Sequence, residues 1–214
     1  MAQHIAILDY GMGNLHSIAK AFEHVAPEAH VQITDRAEEL HAADRVVFPG
    51  QGAIGQCMQR LRTQGLDRLL GELIAQKPVL GVCLGLQAVV AHSEENGGTD
   101  CLGLLPGTVT RFPAGLPETP GGRAIRIPHM GWNTVRPTQD HPVWAGLAAG
   151  ERFYFVHSYH VAAAHPAIAG QTHYGVEIAS ALASGNLFAV QFHPEKSQHA
   201  GLRLLRNFVA WQGA

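Results

Sequence analysis

The first 92 residues alternate short apolar runs with stretches of helical periodicity. Apolar runs predict strands at residues 4–8, 31–33, 45–48 and 79–82. Apolar residues at helical spacing lie between them, from Leu15 to Phe22, in a brief turn ending at Leu40, and from Leu61 to Ile74. Strand alternating with helix predicts right-handed βαβ crossovers and a mainly parallel sheet.

The pattern changes after Asn96-Gly97-Gly98, and residues 107–135 are rich in glycine and proline. Helical spacing returns only from Leu202 to Val209. Further strands are predicted at Thr108–Phe112, Arg123–Ile127, Arg152–Val156, Thr172–Ile178 and Leu187–Phe192. We expect an antiparallel meander beside the parallel sheet or on its edge. No linker or repeat interrupts the chain, so residues 1–214 are expected to form one α/β domain with an open, mainly parallel mixed sheet, flanking helices and additional antiparallel strands.

Composition excludes several classes of protein. The 214 residues are 46% hydrophobic and 15% charged, with a formal net charge of -2 and no block of Lys or Arg, which argues against nucleic acid or an anionic membrane as the main partner. No apolar run approaches the roughly 18 residues of a membrane span, and the N-terminus lacks a secretory pattern, so a cytoplasmic protein is expected. Three scattered cysteines suit a reducing compartment. The fourteen histidines are scattered, and neither a metal site nor a cofactor is expected.

A cysteine lies between two glycines where the strand at 79–82 gives way to the apolar segment from Leu86. Gly81, Cys83 and Gly85 fit the nucleophile elbow G-x-nucleophile-x-G, in which a strand turns sharply into a helix. A helix N-terminus favours thiolate over thiol, and the amide of Leu84 can hold a developing oxyanion. The alternative is a buried cysteine at an ordinary strand-helix junction.

A second signal follows the last predicted strand, at His193-Pro194-Glu195. His193 and Glu195 are two residues apart, so their side chains point the same way. A carboxylate orients an imidazole, and an imidazole beside Cys83 can take and return its proton. The alternative is a turn at a strand end.

The loop Pro49-Gly50-Gln51-Gly52 follows the third predicted strand. Glycines let a backbone amide face a substrate with no side chain in the way, so this loop is the expected source of the second oxyanion donor. The alternative is a plain turn.

Taken together, G-V-C-L-G-L-Q, P-G-Q-G and H-P-E resemble the triad (class I) glutamine amidotransferases, which have a flavodoxin-like fold. The resemblance narrows to the glutaminase subunits of imidazole glycerol phosphate synthase. It rests on D-Y-G-M-G-N-L at residues 9–15, P-H-M-G-W-N at 128–133, Y-F-V-H-S-Y at 154–159 and Q-F-H-P-E-K-S at 191–197, and it spans nearly the whole chain in order.

This resemblance implies a reaction. Cys83 would attack the side-chain amide of glutamine, and the amide of Leu84 and one from Gly50, Gln51 or Gly52 would hold the oxyanion. His193, oriented by Glu195, would protonate the departing ammonia and then activate water against the thioester. The ammonia would pass to a (β/α)8-barrel cyclase in a heterodimer, for synthesis of imidazole glycerol phosphate and aminoimidazole carboxamide ribotide in histidine biosynthesis.

The resemblance also implies roles around this centre. Gln87, His157, Ser158 and Tyr159 would surround the amino-acid end of the substrate, and Asn14 and Lys196 would face the partner. The alternatives are a helix N-cap for Asn14 and a solvated lysine for Lys196. Trp132 fits either core packing or the interface, and Cys57 and Cys101 are expected to be structural. One departure is Gln51, where the family commonly has valine.

Other functions remain open at this point. Glutaminases of nucleotide or anthranilate synthesis usually carry histidine at the position of Leu86, and the glutaminase of pyridoxal phosphate synthase typically lacks the glutamine found here at Gln87. A self-contained thiol hydrolase would be fully active without a partner. A non-catalytic regulatory subunit would have no need of Cys83, His193 and Glu195.

Overall fold

The computed structural model describes residues 2–116, 125–162 and 166–214. The strands in these ranges are β1 (His4–Leu8), β2 (His30–Thr34), β3 (Arg45–Gly50), β4 (Val79–Cys83), β5 (His92–Ser93), β6 (Thr99–Asp100), β7 (Thr108–Arg111), β8 (His129–Thr134), β9 (Arg136–Pro137), β10 (Arg152–His157), β11 (Tyr159–Ala162), β12 (Ile168–His173), β13 (Glu177–Ser184) and β14 (Leu187–Val190). The helices are α1 (Leu15–Val25), α2 (Ala37–Ala42), α3 (Ile54–Gln64), α4 (Leu66–Gln76), α5 (Leu84–Val89) and α6 (Gln198–Ala210). Short 3-10 turns occupy Glu95–Gly97, Pro142–Trp144 and Pro194–Lys196.

One large sheet organises the molecule, with a parallel half and a mainly antiparallel half. Its order begins β2-β1-β3-β4-β14, and neighbours in this part are parallel. It continues antiparallel through β13 and β11 to β7, which pairs in parallel with β5, and ends at β6. Strand β12 pairs with β13 and β9, while β8 and β10 form a separate antiparallel ribbon.

Side chains that alternate along the parallel strands fill two cores, one on each face of the sheet. In β1, Ala6 and Leu8 belong to the core shared with α2, α3, α4 and α5, whereas Ile5 and Ile7 belong to the core shared with α1 and α6. Burial on both faces is the arrangement that βαβ crossovers produce. The expected α/β architecture, an open mixed sheet flanked by helices with added antiparallel strands, is confirmed.

The elements predicted in the first half of the chain are present, with one refinement. The helical region expected from Leu61 to Ile74 is two helices, because Gly65 has a left-handed backbone (φ 71°) that ends α3 and begins α4. Pro27 follows α1, as expected of a residue that cannot continue a helix.

In the second half of the chain, the structure differs from two of the predicted strands. The strand predicted at Thr172–Ile178 is wrong, because the chain reverses within it: Gly175 has φ 73°, and His173 in β12 pairs with Glu177 in β13. The strand predicted at Arg123–Ile127 lies partly outside the described residues, and its described part, residues 125–127, is not a strand. The strands at 108–111, 152–157 and 187–190 agree with prediction to within two residues.

No helix in the described parts of the chain is both long and apolar enough to cross a membrane. The predicted glycine loop, the predicted cysteine nucleophile and the predicted His-Glu pair lie at or just after the carboxyl ends of β3, β4 and β14, where open α/β sheets place their sites. Gly50 pairs with Cys83, and Val82 with Val190, so these three strand ends are adjacent.

Candidate active site

The strand-to-helix turn expected around Cys83 is present, and it is strained. Cys83 is the last residue of β4 and precedes α5 directly, with φ 55° and ψ −102°. A side chain with a Cβ rarely adopts such a positive φ, which costs on the order of 1–3 kcal/mol. A Cβ on Gly85 would overlap the carbonyl oxygen of Phe48, and a Cβ on Gly81 would lie 3.0 Å from the Cβ of Ala189. The two glycines therefore allow the neighbouring strands to approach the elbow.

A buried histidine-carboxylate pair follows β14. The Nδ1 of His193 is 2.8 Å from the Oε1 of Glu195, and both side chains are almost completely buried. The main chain of His193 is held as well, since its N–H donates to the carbonyl of Tyr154 at 2.9 Å. The hydroxyl of Ser197 donates to the carbonyl of His193 at 2.6 Å and accepts from the N–H of Tyr154. The ribbon strand β10 thus fixes the histidine in place.

The other ring nitrogen of His193, Nε2, is buried and makes no hydrogen bond within the protein. Burial by itself lowers the pKa of His193, but Cys83 and Glu195 outweigh it and raise that pKa to about 10. Both neighbours stabilise the protonated ring, because a thiolate and a carboxylate attract the imidazolium. The arrangement places the protonated ring beside the sulfur of Cys83, where it can carry the proton that a leaving group needs.

Two backbone segments meet beside Cys83. Leu84 is the first residue of α5, so its N–H has no acceptor within the helix. The end of β3 packs tightly here, because a Cβ on Gly50 would overlap the hydroxyl of Tyr10 and lie 2.8 Å from the Cβ of Leu84. Gly52 has φ 98°, a left-handed conformation that suits glycine. Leu84, Gln51 and Gly52 all line the cavity at Cys83, so this wall can supply the donors that an oxyanion needs.

This cavity measures about 470 Å³, a size typical of sites for small molecules. It brings together ten of the residues predicted from sequence: Gln51, Gly52, Cys83, Leu84, Gln87, His157, Ser158, Tyr159, His193 and Lys196. Three further predicted residues, Asn14, Gly50 and Glu195, line a much smaller cavity that also touches Gln51 and His193.

Gln87 lies one helical turn after Cys83, and its amide orientation is fixed by its partners. Its Nε2 donates to the carbonyl of Tyr159 at 2.9 Å and to the Oε1 of Gln191 at 3.0 Å. Both amide hydrogens are therefore used inside the protein. The side-chain oxygen of Gln87 remains for a ligand, and an acceptor at this place suits an ammonium group.

His157 also lines the cavity, but both of its ring nitrogens are used within the protein. Its Nδ1 donates to the carbonyl of Tyr159 at 2.7 Å, so its Nε2 must accept from the Nδ1 of His129 at 2.9 Å. Asn133 donates to the remaining nitrogen of His129 at 3.2 Å. Burial lowers the pKa of His157 to about 4 and that of His129 to about 3, so both rings are neutral at pH 7. His157 therefore supports the start of β11 at Tyr159 and offers no free nitrogen to a ligand.

The residues expected at a partner interface have the following surroundings. The side chain of Asn14 caps α1 by accepting from the N–H of Ser17 at 3.3 Å, which agrees with the N-cap alternative and leaves the rest of this exposed residue accessible. Lys196 is exposed at the edge of the cavity. Trp132 is 38% exposed, so it does not belong to the core, and Met130 beside it on β8 is 62% exposed.

The other two cysteines are buried and free. Burial raises the pKa of Cys57 to about 12 and that of Cys101 to about 11, so both are thiols at pH 7. No group of three or more His, Cys, Asp or Glu side chains that could hold a metal ion occurs among residues 2–116, 125–162 and 166–214.

Sequence reasoning gave no role to two residues of this site. Glu95 lines the cavity with a carboxylate that accepts from the N–H of Ile54 at 2.9 Å, and no motif points to it. Gln191 is fully buried, and its Nε2 lies 3.8 Å from the Sγ of Cys83. Gln191 lies directly after β14 and two residues before His193, and this spacing is the sequence signal that could have found it.

Comparison with known proteins agrees with this fold. The model of the family "Glutamine amidotransferase class-I" matches residues 6–211. A solved structure described as a glutamine amidotransferase superposes with a TM-score of 0.71 at 17% identity, covering 96% of this chain and 97% of the other. The glutaminase domain of Trypanosoma brucei CTPS, with bound acivicin, gives 0.62 at 16% identity, covering 98% and 94%. These structures share the fold, and the chain belongs to the class-I glutamine amidotransferase family.

Relatives of higher identity narrow this assignment. The imidazole glycerol phosphate synthase subunit HisH of Pseudomonas putida is 53% identical over 212 residues, covering 99% of both chains. That of Thiobacillus denitrificans is also 53% identical, over 99% of this chain and 92% of the relative, and HisH 1 of Pseudomonas aeruginosa is 52% identical over 100% and 99%. Within the amidotransferases, the chain belongs to the HisH subunits of imidazole glycerol phosphate synthase. The alternative of a glutaminase from another synthase, such as that of pyridoxal phosphate, is not favoured.

Proposed function

We propose that this chain hydrolyses glutamine to glutamate and ammonia, as the glutaminase of an imidazole glycerol phosphate synthase in histidine biosynthesis. The observation that carries the proposal is the buried His193–Glu195 pair, whose histidine lines one cavity together with a cysteine held at φ 55°. A binding module has no need of a strained thiol beside an imidazole. The HisH relatives support the choice of reaction.

The first half of the reaction forms a thioester. The thiolate of Cys83 attacks the side-chain carbonyl carbon of glutamine, and the carbonyl oxygen becomes an oxyanion. The amide of Leu84 and one amide from Gly50, Gln51 or Gly52 stabilise this charge. His193, protonated and oriented by Glu195, gives its proton to the nitrogen, which leaves as ammonia when the C–N bond breaks.

The second half releases glutamate. His193, now neutral, takes a proton from a water molecule as its oxygen attacks the thioester carbon. A second oxyanion forms at the same donors, and its collapse breaks the C–S bond. The thiolate of Cys83 and the protonated His193 are restored, so the cycle consumes one water per glutamine.

The walls of the cavity support recognition of an amino acid. The free oxygen of Gln87 and the carboxylate of Glu95 are acceptors for the α-ammonium group of glutamine. Ser158 connects β10 to β11, and Tyr159 is the first residue of β11; both surround the amino-acid end of the substrate. His157 holds this segment through the carbonyl of Tyr159.

We further propose that residues 1–214 form one domain that binds a (β/α)8-barrel cyclase as a heterodimer in the cytoplasm. Asn14 and Lys196 face this partner, and both are exposed near the reaction centre. Ammonia passes to the cyclase, which uses it to form imidazole glycerol phosphate and aminoimidazole carboxamide ribotide. Binding of the cyclase and its nucleotide ligand completes the oxyanion hole, with Gln51 in the loop that responds.

The test uses the chain together with a barrel cyclase. Cys83→Ala is expected to abolish glutamine-dependent synthesis, while synthesis from added ammonium salts continues at the wild-type rate. Glutaminase activity of the wild-type chain is expected to rise strongly when the cyclase and its nucleotide ligand are added. Glutamine-dependent turnover that persists in Cys83→Ala would refute the mechanism, and full activity of the isolated chain would refute the dependence on a partner.

A further inference from the structure

We propose that Gln191 is a further catalytic residue, whose side-chain amide donates a hydrogen bond to the sulfur of Cys83 and stabilises it as a thiolate. This inference rests on the proposed function, since it concerns the nucleophile of the same reaction. The amide of Gln191 would be an uncharged hydrogen-bond donor to this sulfur. The sequence motifs indicate only one partner for the sulfur, the imidazole of His193.

The position of Gln191 is built into the sheet. Gln191 is fully buried, and its backbone N–H donates to the carbonyl of Ser180 in β13 at 2.9 Å. Its side-chain Nε2 lies 3.8 Å from the Sγ of Cys83, a separation that the large radius of sulfur allows for a hydrogen bond. Gln191 therefore contacts the atom that would react.

The orientation of this amide follows from its neighbours. The carbonyl of Tyr159 can only accept, so the atom of Gln87 that contacts it at 2.9 Å must be the amide nitrogen. That nitrogen also contacts the side chain of Gln191 at 3.0 Å, so the facing atom of Gln191 must be its oxygen. The NH₂ group of Gln191 is then the end that faces Cys83.

A chain of hydrogen bonds thus runs from the carbonyl of Tyr159 through the side chains of Gln87 and Gln191 to the sulfur of Cys83. In a buried site, a hydrogen bond from an amide favours the charged form of its acceptor, because the thiolate has lost its water. The carbonyl of Tyr159 also accepts a hydrogen bond from His157, which fixes its orientation. The hydrogen bonds that Tyr159 accepts from Gln87 and His157 therefore orient the NH₂ group of Gln191 toward the sulfur before any substrate binds.

A purely structural role for Gln191 makes a different prediction. If Gln191 served only to hold Gln87, its replacement would weaken binding of glutamine, raise KM and leave the reactivity of the thiol unchanged. If Gln191 stabilises the thiolate, its replacement moves the pH at which Cys83 becomes nucleophilic, with or without substrate.

The experiment measures the rate at which iodoacetamide alkylates Cys83 between pH 5 and 10 in the full chain, with mass spectrometry of peptides to separate Cys83 from the other cysteines. Gln191→Met keeps the shape of the side chain and removes the donor. Its alkylation midpoint is expected to rise by about one pH unit, the effect of one hydrogen bond to a charged group. Gln171→Met, on β12 outside the cavity, is the matched control and is expected to alkylate as the wild type does.

A midpoint for Gln191→Met within about 0.2 pH unit of the wild type would overturn the proposal. If Gln191→Met does not fold, NMR of the wild-type chain tests the same hydrogen bond. In the wild-type chain, the side-chain ¹⁵N–¹H resonances of Gln191 are expected to titrate with the alkylation midpoint of Cys83, and to stop doing so in Cys83→Ser. Resonances that do not move over this range would also overturn it.

The outcome is separable from that of the proposed function, because alkylation needs neither glutamine nor the cyclase. A shifted midpoint in a chain that shows no glutaminase activity even with the cyclase and its nucleotide ligand would support the role of Gln191 and refute the reaction. Glutaminase activity with an unshifted midpoint would support the reaction and refute the role of Gln191.

Discussion

At the scale of single residues, the main feature is the backbone conformation of Cys83. Its φ of 55° costs free energy in the folded state, and the packing of β14 against Gly81 and of β3 against Gly85 maintains it. The residue that the chemistry requires is therefore one that the backbone disfavours. Stability and reactivity are opposed at this position.

Relief of this strain can be measured. Cys83→Gly is expected to unfold with a free energy about 1 kcal/mol larger than Cys83→Ala, because glycine adopts positive φ freely while alanine keeps the strain, and the added flexibility of the unfolded chain offsets only part of the gain. Both variants lack the thiol, so their comparison isolates the backbone. Urea denaturation at pH 7 gives the two values, and an alanine variant as stable as the glycine variant would contradict the strain.

Much of the candidate site could be predicted from the sequence because much of it is local. Cys83 lies in a short motif, and His193 and Glu195 lie two residues apart at the 3-10 turn that follows β14. The partners of Gln87 and His157 could not be predicted in this way, because they are set by contacts across the fold. Gln87 reaches Tyr159, 72 positions away, and His157 reaches His129, 28 positions away. Such pairings depend on how the strands assemble.

At the scale of elements, the break between α3 and α4 shows how one residue divides a helical pattern. The two helices meet at Gly65, whose φ of 71° is left-handed, and a Cβ built there would contact nothing within 4 Å. The break is therefore a property of the backbone and does not depend on packing.

The same substitution is expected to have opposite effects at two nearby glycines. Gly65→Ala should destabilise the chain by about 1 kcal/mol, because alanine is disfavoured at positive φ. Gly71→Ala, inside α4, should stabilise it by about 0.5–1 kcal/mol, since alanine is the better helix former and its Cβ would meet only an ordinary contact at 3.5 Å from Leu104. Thermal unfolding of both variants gives their changes in stability relative to the wild type. Two changes of the same sign would contradict this prediction.

The elements of the first half were predictable because each strand and helix carries its own periodicity. The elements of the second half were less predictable. Residues 172–178 were predicted to form one strand, although the chain turns at Gly175 and forms a hairpin. The strand β8 was not predicted either. Its partner β10 lies about 20 residues further on, and no apolar alternation marks a strand whose side chains Met130 and Trp132 are exposed.

At the scale of the whole molecule, buried histidines make stability depend on pH in two opposite ways. Burial keeps His129 and His157 neutral, with pKa values of about 3 and 4, well below the 6.5 of an exposed histidine. Their contribution is complete above pH 6.5 and is lost as the pH falls toward 4, because the unfolded chain binds protons there that the folded chain does not. His193, with its pKa raised to about 10, contributes fully below pH 6.5 and loses this as the pH rises through 10.

We expect the free energy of unfolding to fall between pH 6.5 and 5, at up to about 1.4 kcal/mol per pH unit for each of the two neutral histidines. His129→Gln removes one of these groups and should reduce the slope, whatever it does to the absolute stability. Phe112→Leu is the matched control, because Phe112 packs on both rings and does not titrate. Urea denaturation at several pH values gives the slopes, and a slope in His129→Gln equal to that of the wild type would count against this account.

The exposure of Trp132 has a spectroscopic consequence. The chain has three tryptophans, and Trp144 and Trp211 are only 7% and 6% exposed, against 38% for Trp132. Iodide in solution should therefore quench mainly the fluorescence of Trp132, while the emission of the other two persists as a constant background. Any molecule that covers the exposed side of β8 would protect that fraction from iodide. The protein thus carries an intrinsic optical reporter of occupancy at one defined face, and docking there can be titrated without attaching a dye.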